Sequence, residues 1–358
     1  MPSNARASLI SLAGLVAVAA ACGSTAKTVD VPAGAGITTL SPPPPVVVPN
    51  DERLCRKGPG VSALVPFDGP YLVSTNLLVD HDYAYFTSFD FIDENHDTYY
   101  LMRVTKRGDP PERLAVAGAE SFVTDGTTIY AADTGGAVTA FPASGRGVSS
   151  GASAGAAIAA DAVYVASIPD GTNGMLLRVP LDGSRPTFAD RGQDPAPWSV
   201  LVDGSTVYWQ ANFWYGPVFA QGPTGAARRV VPGNVRFPSG FALDGDTLFL
   251  GVNSVGIVTV PKSGGDATTL AAGVDARGIL VDGDWVYWLD EHSVHLTPKT
   301  GGPDIVLATI LPSLTFKWES LVSDEDCLYF AVQDEWNRTA LLTTPKPTAT
   351  PGGVGQGR

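Results

Sequence analysis

The sequence contains few of the residues that most often form metal sites or disulfide frameworks. It has 3 Cys and 4 His among 358 residues, and the His are too dispersed to indicate a zinc site. Basic residues are also scarce: 23 Lys and Arg stand against 36 Asp and Glu, for a formal net charge of -13. Affinity for nucleic acids depends on clustered cations that displace counterions from phosphates. We therefore expect no metal, no other cofactor and no nucleic-acid partner.

Long hydrophobic runs are absent as well, apart from one stretch near the N-terminus. Arg6 precedes a run of 13 mostly apolar residues, 9–21. A helix needs about 20 apolar residues to cross a bilayer, so this run is too short. A short apolar run that follows a basic residue and ends in small residues is typical of an export signal. We predict a signal peptide over residues 1–21.

The signal is followed by a candidate lipidation site. Ala19-Ala20-Ala21-Cys22 resembles the bacterial lipobox, whose cysteine becomes a lipid-modified N-terminus after cleavage. The resemblance implies an anchor at Cys22 in the cell envelope, at the outer membrane or in the periplasm, with no other membrane contact. Ala19 and Ala21 also suit an ordinary signal peptidase, so secretion without an anchor is the alternative.

Export changes the interpretation of the two remaining cysteines. In an oxidising compartment, a cysteine pair is more often a disulfide than a metal or catalytic site. We therefore predict a bond between Cys55 and Cys327.

Composition divides the rest of the chain into three segments. Residues 22–50 are rich in small residues and include four consecutive prolines, 42–45, which favours lipid attachment followed by an extended tether. Residues 346–358 are rich in Pro, Thr and Gly, which predicts a disordered tail. Residues 51–345 form the predicted folded domain.

This domain contains a repeated sequence motif: an apolar strand, an acidic turn and a second strand with an aromatic residue. Asp282-Gly283 shows the turn clearly, and Asp-Gly between strand-like runs is a strong hairpin signal. The repeated aromatic recurs every 34 to 45 residues, a spacing typical of propeller blades. It stands at Tyr85, Tyr130, Tyr164, Tyr208, Phe249, Tyr287 and Tyr329. The pattern predicts an all-β, seven-bladed β-propeller with four antiparallel strands per blade and the aromatics between blades.

Closure of the ring can also be predicted. The last repeat ends after its third strand, residues 340–344, and lacks a fourth. A strand-like segment at residues 61–66 precedes the first full repeat. We therefore expect the N-terminal strand to complete the last blade and to bring Cys55 towards Cys327.

The residues from Val281 to Asp290, with Val-Pro-Lys turns that end in paired glycines, resemble uncharacterised bacterial seven-bladed propeller lipoproteins. They are more distantly similar to the YWTD and NHL propellers. The resemblance covers roughly residues 60–345 and implies an exported propeller of the cell envelope. Propellers serve unrelated functions, so the fold alone implies no activity.

Ligands of propellers usually meet the face made by the loops that enter the first strand and the loops that join the second and third strands. Trp and Arg residues at such a rim would suit recognition of a protein or an envelope polymer. The alternative is that each Trp packs against a neighbouring blade. The predicted binding face comprises Trp198, Trp214, Tyr215, Arg236, Arg277, Asp290, His292 and Trp318.

One loop suggests catalysis. Asp290, Glu291 and His292 could perform acid–base chemistry as a lyase or hydrolase, and the loop is faintly similar to that of streptogramin lyase. The Phe-Thr-Glu blade signature of that family is absent, and strand alternation would place His292 and His295 on opposite faces. A surface loop is the preferred interpretation. The preferred function is a monomeric, non-enzymatic binding or scaffold module.

Overall fold

The structure is a computed structural model, and it confirms an all-β ring of seven sheets. It describes residues 36–39, 53–57, 60–67, 73–93, 96–116, 121–133, 137–142, 149–150, 155–167, 174–190, 197–211, 217–231, 235, 238–273 and 275–347. None of these residues forms a helix long and apolar enough to cross a membrane. Cys22 and most of the predicted signal and tether lie outside the described residues.

Two strands precede the blades in the sequence and join sheets formed later: β1 (Gly36–Thr39) and β2 (Ser62–Val65). Blade 1 contains β3 (Val73–Val79), β4 (Tyr83–Asp93), β5 (His96–Thr105) and β6 (Glu112–Val116). Blade 2 contains β7 (Ser121–Thr124), β8 (Thr128–Ala132) and β9 (Ala137–Pro142). A two-residue strand, β10 (Ser149–Ser150), pairs with β3 of blade 1.

Each of the next three blades is a sheet of four consecutive antiparallel strands. Blade 3 contains β11 (Ala156–Ile158), β12 (Ala162–Ser167), β13 (Met175–Pro180) and β14 (Thr187–Asp190). Blade 4 contains β15 (Pro197–Asp203), β16 (Thr206–Ala211), β17 (Val218–Gln221) and β18 (Arg228–Arg229). Blade 5 contains β19 (Pro238–Asp244), β20 (Thr247–Val252), β21 (Gly256–Pro261) and β22 (Thr268–Ala272).

The last two blades bring the chain back to its start. Blade 6 contains β23 (Arg277–Asp282), β24 (Trp285–Leu289), β25 (Ser293–Pro298) and β26 (Ile305–Thr309). Blade 7 contains β27 (Leu314–Ser323), β28 (Cys327–Asp334) and β29 (Thr339–Pro345).

The N-terminal strand closes the ring as the sequence predicts. Strand β2 pairs antiparallel with β29, with Ser62 opposite Thr343, and so becomes the fourth strand of blade 7. A 3-10 turn, Leu54–Arg56, precedes β2 and carries Cys55. A disulfide joins Cys55 to Cys327 at the start of β28, with 6.3 Å between their Cα atoms. The two ends of the domain are thus linked by strand pairing and by a covalent bond.

Blade 2 takes its fourth strand from outside its own repeat. Strand β1 runs parallel to β9, with Gly36 opposite Ala137 and Thr39 opposite Ala140. It covers an edge of β9 that would otherwise present unpaired N–H and C=O groups. This parallel pair departs from the antiparallel pattern predicted for the blades. Part of the segment assigned to a tether therefore also belongs to a blade.

The core is divided among the seven interfaces between neighbouring blades. Seven apolar clusters lie there, and each contains one of the seven repeated aromatics. Six of these rings are at most 8% exposed, and Tyr164 is half-buried. Burying one such ring stabilises the fold by about 2 kcal/mol. The prediction that the aromatics lie between the sheets is confirmed.

Candidate functional site

The aspartate of the repeated turn has a structural role in several blades. In blade 1, Asp80 Oδ1 accepts hydrogen bonds from the backbone N–H groups of Asp82 and Tyr83, at 2.9 and 2.7 Å. Its Oδ2 accepts the hydroxyl of Tyr85 at 2.6 Å. The same five-residue spacing joins Asp125 to Tyr130 and Asp324 to Tyr329, at 3.1 and 2.8 Å. The repeated acid and aromatic therefore form a turn that fixes the ring orientation.

A second repeated contact joins neighbouring blades. A lysine after the third strand of one blade places its Nζ 2.6 Å from an aspartate Oδ2 of the adjacent blade. We call this ion pair the interblade clamp. Among the described residues, the clamps are Lys106–Asp324, Lys262–Asp203, Lys299–Asp244 and Lys346–Asp282.

The clamp between blades 7 and 1 is buried in a larger cluster at the ring closure. The side chain of Lys106 has no exposed surface, and that of Asp324 is 5% exposed. Arg53, just before the 3-10 turn, lies 3.5 Å from Asp324 and 3.2 Å from Asp326. Burial alone raises the pKa of Asp324, but Lys106 and two backbone N–H groups outweigh it and hold that pKa below its ordinary value. This cluster stabilises the closure and offers no accessible reactive group.

Only part of the predicted binding face lies in the described chain. Trp198 and Trp318 fall in β15 and β27, but their side chains are outside the description. The other residues outside the described part are Trp214, Tyr215 and Arg236.

The structure brings the remaining three predicted residues to one end of blade 6. Arg277 begins β23 opposite Leu289, and Asp290 and His292 follow directly in the loop after β24. This loop joins the second and third strands, as the sequence predicts. These residues therefore share one end of the blade.

Asp290 organises its own loop. Its Oδ1 accepts the backbone N–H groups of His292 and Ser293 at 2.8 and 2.6 Å, and its Oδ2 lies 2.9 Å from His295 Nε2. Burial raises the pKa of Asp290, but these hydrogen bonds outweigh it and leave the pKa below its ordinary value. The carboxylate is thus held as an acceptor by the turn itself.

His295 is the buried histidine of this end, and it lies between two carboxylates. Its Nδ1 is 2.8 Å from Asp304 Oδ1, while Nε2 faces Asp290. Its ring also stacks on Trp288, with the ring centres 5.2 Å apart. Each ring nitrogen of His295 therefore faces a carboxylate oxygen. This arrangement is a hydrogen-bonded ion cluster inside the blade.

His292 lies in the loop before β25, outside the strand, and contacts a different blade. Its Nδ1 is 3.1 Å from the backbone oxygen of Leu314 in blade 7, and the ring nitrogen donates. Its Nε2 lies 4.0 Å from Glu291 Oε1, and the Glu291 side chain is 77% exposed. His292 therefore connects the loops of blades 6 and 7, with one ring nitrogen directed towards an exposed carboxylate.

Two exposed apolar residues lie at the same end of blade 7 as Leu314, and the predicted binding face included neither of them. Leu311 precedes β27 and is 66% exposed, and Trp336 follows β28 and is 72% exposed. Leu314 pairs with Asp334, so both residues flank the same end of blade 7. Asp334 accepts the Trp336 backbone N–H at 2.9 Å and fixes the loop. We call Leu311 and Trp336 the apolar edge.

The described residues contain no group of three or more His, Cys, Asp or Glu side chains positioned to hold a metal ion. The acidic segment 90–97 overlaps the end of β4 and the start of β5, and its side chains lie outside the description.

Comparisons with known proteins support the fold. No protein-family model matches the chain, and no curated protein sequence matches it significantly. Two solved structures of the extracellular domain of BT4673 from B. thetaiotaomicron are similar, with TM-scores of 0.55 and 0.52 and 10% identity. Each alignment covers 79% of this chain but only 39% or 40% of the BT4673 chain. BamB from Moraxella catarrhalis aligns over 77% of this chain and 84% of its own at 14% identity, with a TM-score of 0.41.

Proposed function

We propose that this protein is an exported, lipid-anchored β-propeller that acts as a non-enzymatic binding module of the bacterial cell envelope. The leader and Cys22 support export and anchoring, and the Cys55–Cys327 disulfide is consistent with an oxidising compartment. A Cys22→Ser variant should move from the membrane fraction to the soluble fraction. Retention of that variant in the membrane fraction would argue against the anchor.

The exposure of the apolar edge is the observation that carries the binding proposal. Trp336 and Leu311 have the highest exposed fractions, 72% and 66%, among the large apolar residues that the structure describes, and Trp is enriched among the residues that dominate binding energy at protein interfaces. The edge lies on the predicted rim, next to the loop of Asp290 and His292. We infer that a protein or an envelope polymer contacts this end of blades 6 and 7, and that the propeller itself is monomeric.

Site-specific photo-crosslinking tests the proposal. A photoreactive residue at position 336 should give a discrete adduct in intact cells, or bind the chain to isolated cell-wall sacculi. Val306, on the outer strand β26, is 56% exposed and provides a matched control position. Leu311→Asp should abolish the adduct from position 336. Equal adducts from positions 336 and 306 would refute a specific site.

A lyase or hydrolase is the second candidate function, because Glu291 and His292 approach each other at an exposed turn. Turnover of an envelope polysaccharide that is lost in His292→Ala would support this alternative over the binding module. Unchanged turnover in a variant with Ala at positions 290, 291 and 292 would eliminate it.

A further inference from the structure

The junction between blades 3 and 4 lacks both partners of the interblade clamp. Gln221 occupies in blade 4 the pairing position that Val260 occupies in blade 5. Pro223 therefore stands where Lys262 stands. Proline supplies neither an ammonium group nor the backbone N–H that Lys262 donates to the backbone oxygen of Asp246 in its own blade, at 2.8 Å.

The acidic partner is missing on the other side of the same junction. Ala159 donates its backbone N–H to the oxygen of Ala162 at 2.9 Å, and Asp324 makes the equivalent turn with Cys327 at 3.0 Å. Ala159 thus occupies the position of the clamp aspartate. Without a carboxylate and a lysine at these two positions, the clamp ion pair cannot form at this junction.

A cleft opens at this place. It has a volume of about 630 Å³, and both Ala159 and Pro223 line it. It lies at the end of the blades that carries the turns between strands 1 and 2 and between strands 3 and 4. The apolar edge lies at the opposite end, so the cleft is separate from the proposed binding face.

The remaining walls combine aromatic surface with paired hydrogen-bonding groups. Tyr164 and Phe188 are half-buried and expose part of their rings to the cleft, and Gln221 contributes an amide. Arg178 forms an ion pair with Asp161 and is the cross-strand partner of Tyr164. The guanidinium and the carboxylate cancel in charge, so the walls carry both donors and acceptors without a net charge.

We propose that this cleft binds a neutral sugar unit of a glycan. Aromatic rings cover the apolar faces of a pyranose, while its hydroxyl groups need hydrogen-bond donors and acceptors, which Arg178, Asp161 and Gln221 provide in the walls of the cleft. An anionic ligand would find Arg178 already neutralised by Asp161. The volume of the cleft accommodates one to three sugar residues.

The proposal is tested by screening the purified protein on an array of neutral and acidic glycans, followed by calorimetric titration of the strongest neutral binder. Gln221→Ala should weaken that binder by about tenfold, the loss expected for one hydrogen-bonding side chain. Absence of any neutral binder, or a preference for acidic glycans, would overturn the proposal.

A second variant fills the cleft by introducing the clamp residues found at other junctions. Ala159→Asp combined with Pro223→Lys restores the clamp residues, and should abolish sugar binding while leaving the melting temperature unchanged or higher. Binding that persists in this folded variant would place the ligand elsewhere and refute the site. Trp336→Ala is the control: it should leave sugar affinity unchanged even if it abolishes the crosslinked adduct, so the two proposals can fail separately.

Discussion

The interblade clamp occurs in two different environments, and removing its lysine should therefore have two different costs. At the ring closure, the side chains of Lys106 and Asp324 are 0% and 5% exposed. Between blades 4 and 5, those of Lys262 and Asp203 are 12% and 53% exposed. Lys→Met at either position removes the ammonium while retaining most of the side-chain volume.

The loss of unfolding free energy in each variant depends on the surroundings of the aspartate that remains. Lys106→Met leaves Asp324 buried, with Arg53 at 3.5 Å as its remaining cationic contact, and breaking such a buried pair costs about 3–5 kcal/mol. Lys262→Met leaves Asp203 in water, where an ion pair contributes about 0–1 kcal/mol. We expect the free energy of unfolding to fall at least three times as far in the first variant.

Urea denaturation, followed by tryptophan fluorescence, measures the free energy of unfolding of both variants. Asp324→Asn should recover part of the loss when it is combined with Lys106→Met, because the unpaired charge is then removed. Equal losses for Lys106→Met and Lys262→Met would refute the argument from burial. Additive effects of the Lys106 and Asp324 variants would show that the two groups do not interact.

Two further predictions concern the same closure. Cys55→Ser with Cys327→Ser should lower the free energy of unfolding by about 2–5 kcal/mol, because the bond closes a loop of 272 residues; an unchanged urea midpoint, compared with wild type under non-reducing conditions, would contradict this. The folded-state pKa of Asp324 lies below its unfolded value, so its contribution is complete above about pH 4 and is lost as pH falls through the folded pKa. Asp324→Asn should therefore flatten the decline of stability below pH 4, and an unchanged slope in acid titrations would contradict this.

The seven blades and their closure could be predicted because each repeat carries local signals. The Asp-Gly turn needs a residue that tolerates positive φ, and Gly283 adopts φ 57°. The aromatic five residues after the turn aspartate marks the buried strand, as in the interface that contains Tyr287. The missing fourth strand of blade 7 follows from a count of strands along the chain.

Contacts between repeats could not be predicted in the same way. Each clamp lysine follows the third strand of its blade, but its partner lies 55 to 218 residues away in the sequence. Asp304 was missed for a related reason: it reaches His295 only because β25 and β26 pair side by side. Strand β1 carried no alternating apolar pattern, and its place depends on the open edge of β9.

The repeats also explain why the residues that suggested catalysis have structural contacts, while the proposed sugar site lies where the repeat is interrupted. Asp290 and His295 satisfy each other and their own turn, so a change at either should cost stability. Ala159 and Pro223 replace residues that would have joined two blades, and the cleft between them keeps hydrogen-bonding groups open to solvent. The clamp joins four other pairs of neighbouring blades among the described residues, whereas Leu181 occupies the lysine position at the junction of blades 2 and 3. At the junction of blades 3 and 4 both clamp residues are replaced and a cleft opens between them, and this combination is why we propose that a ligand binds there.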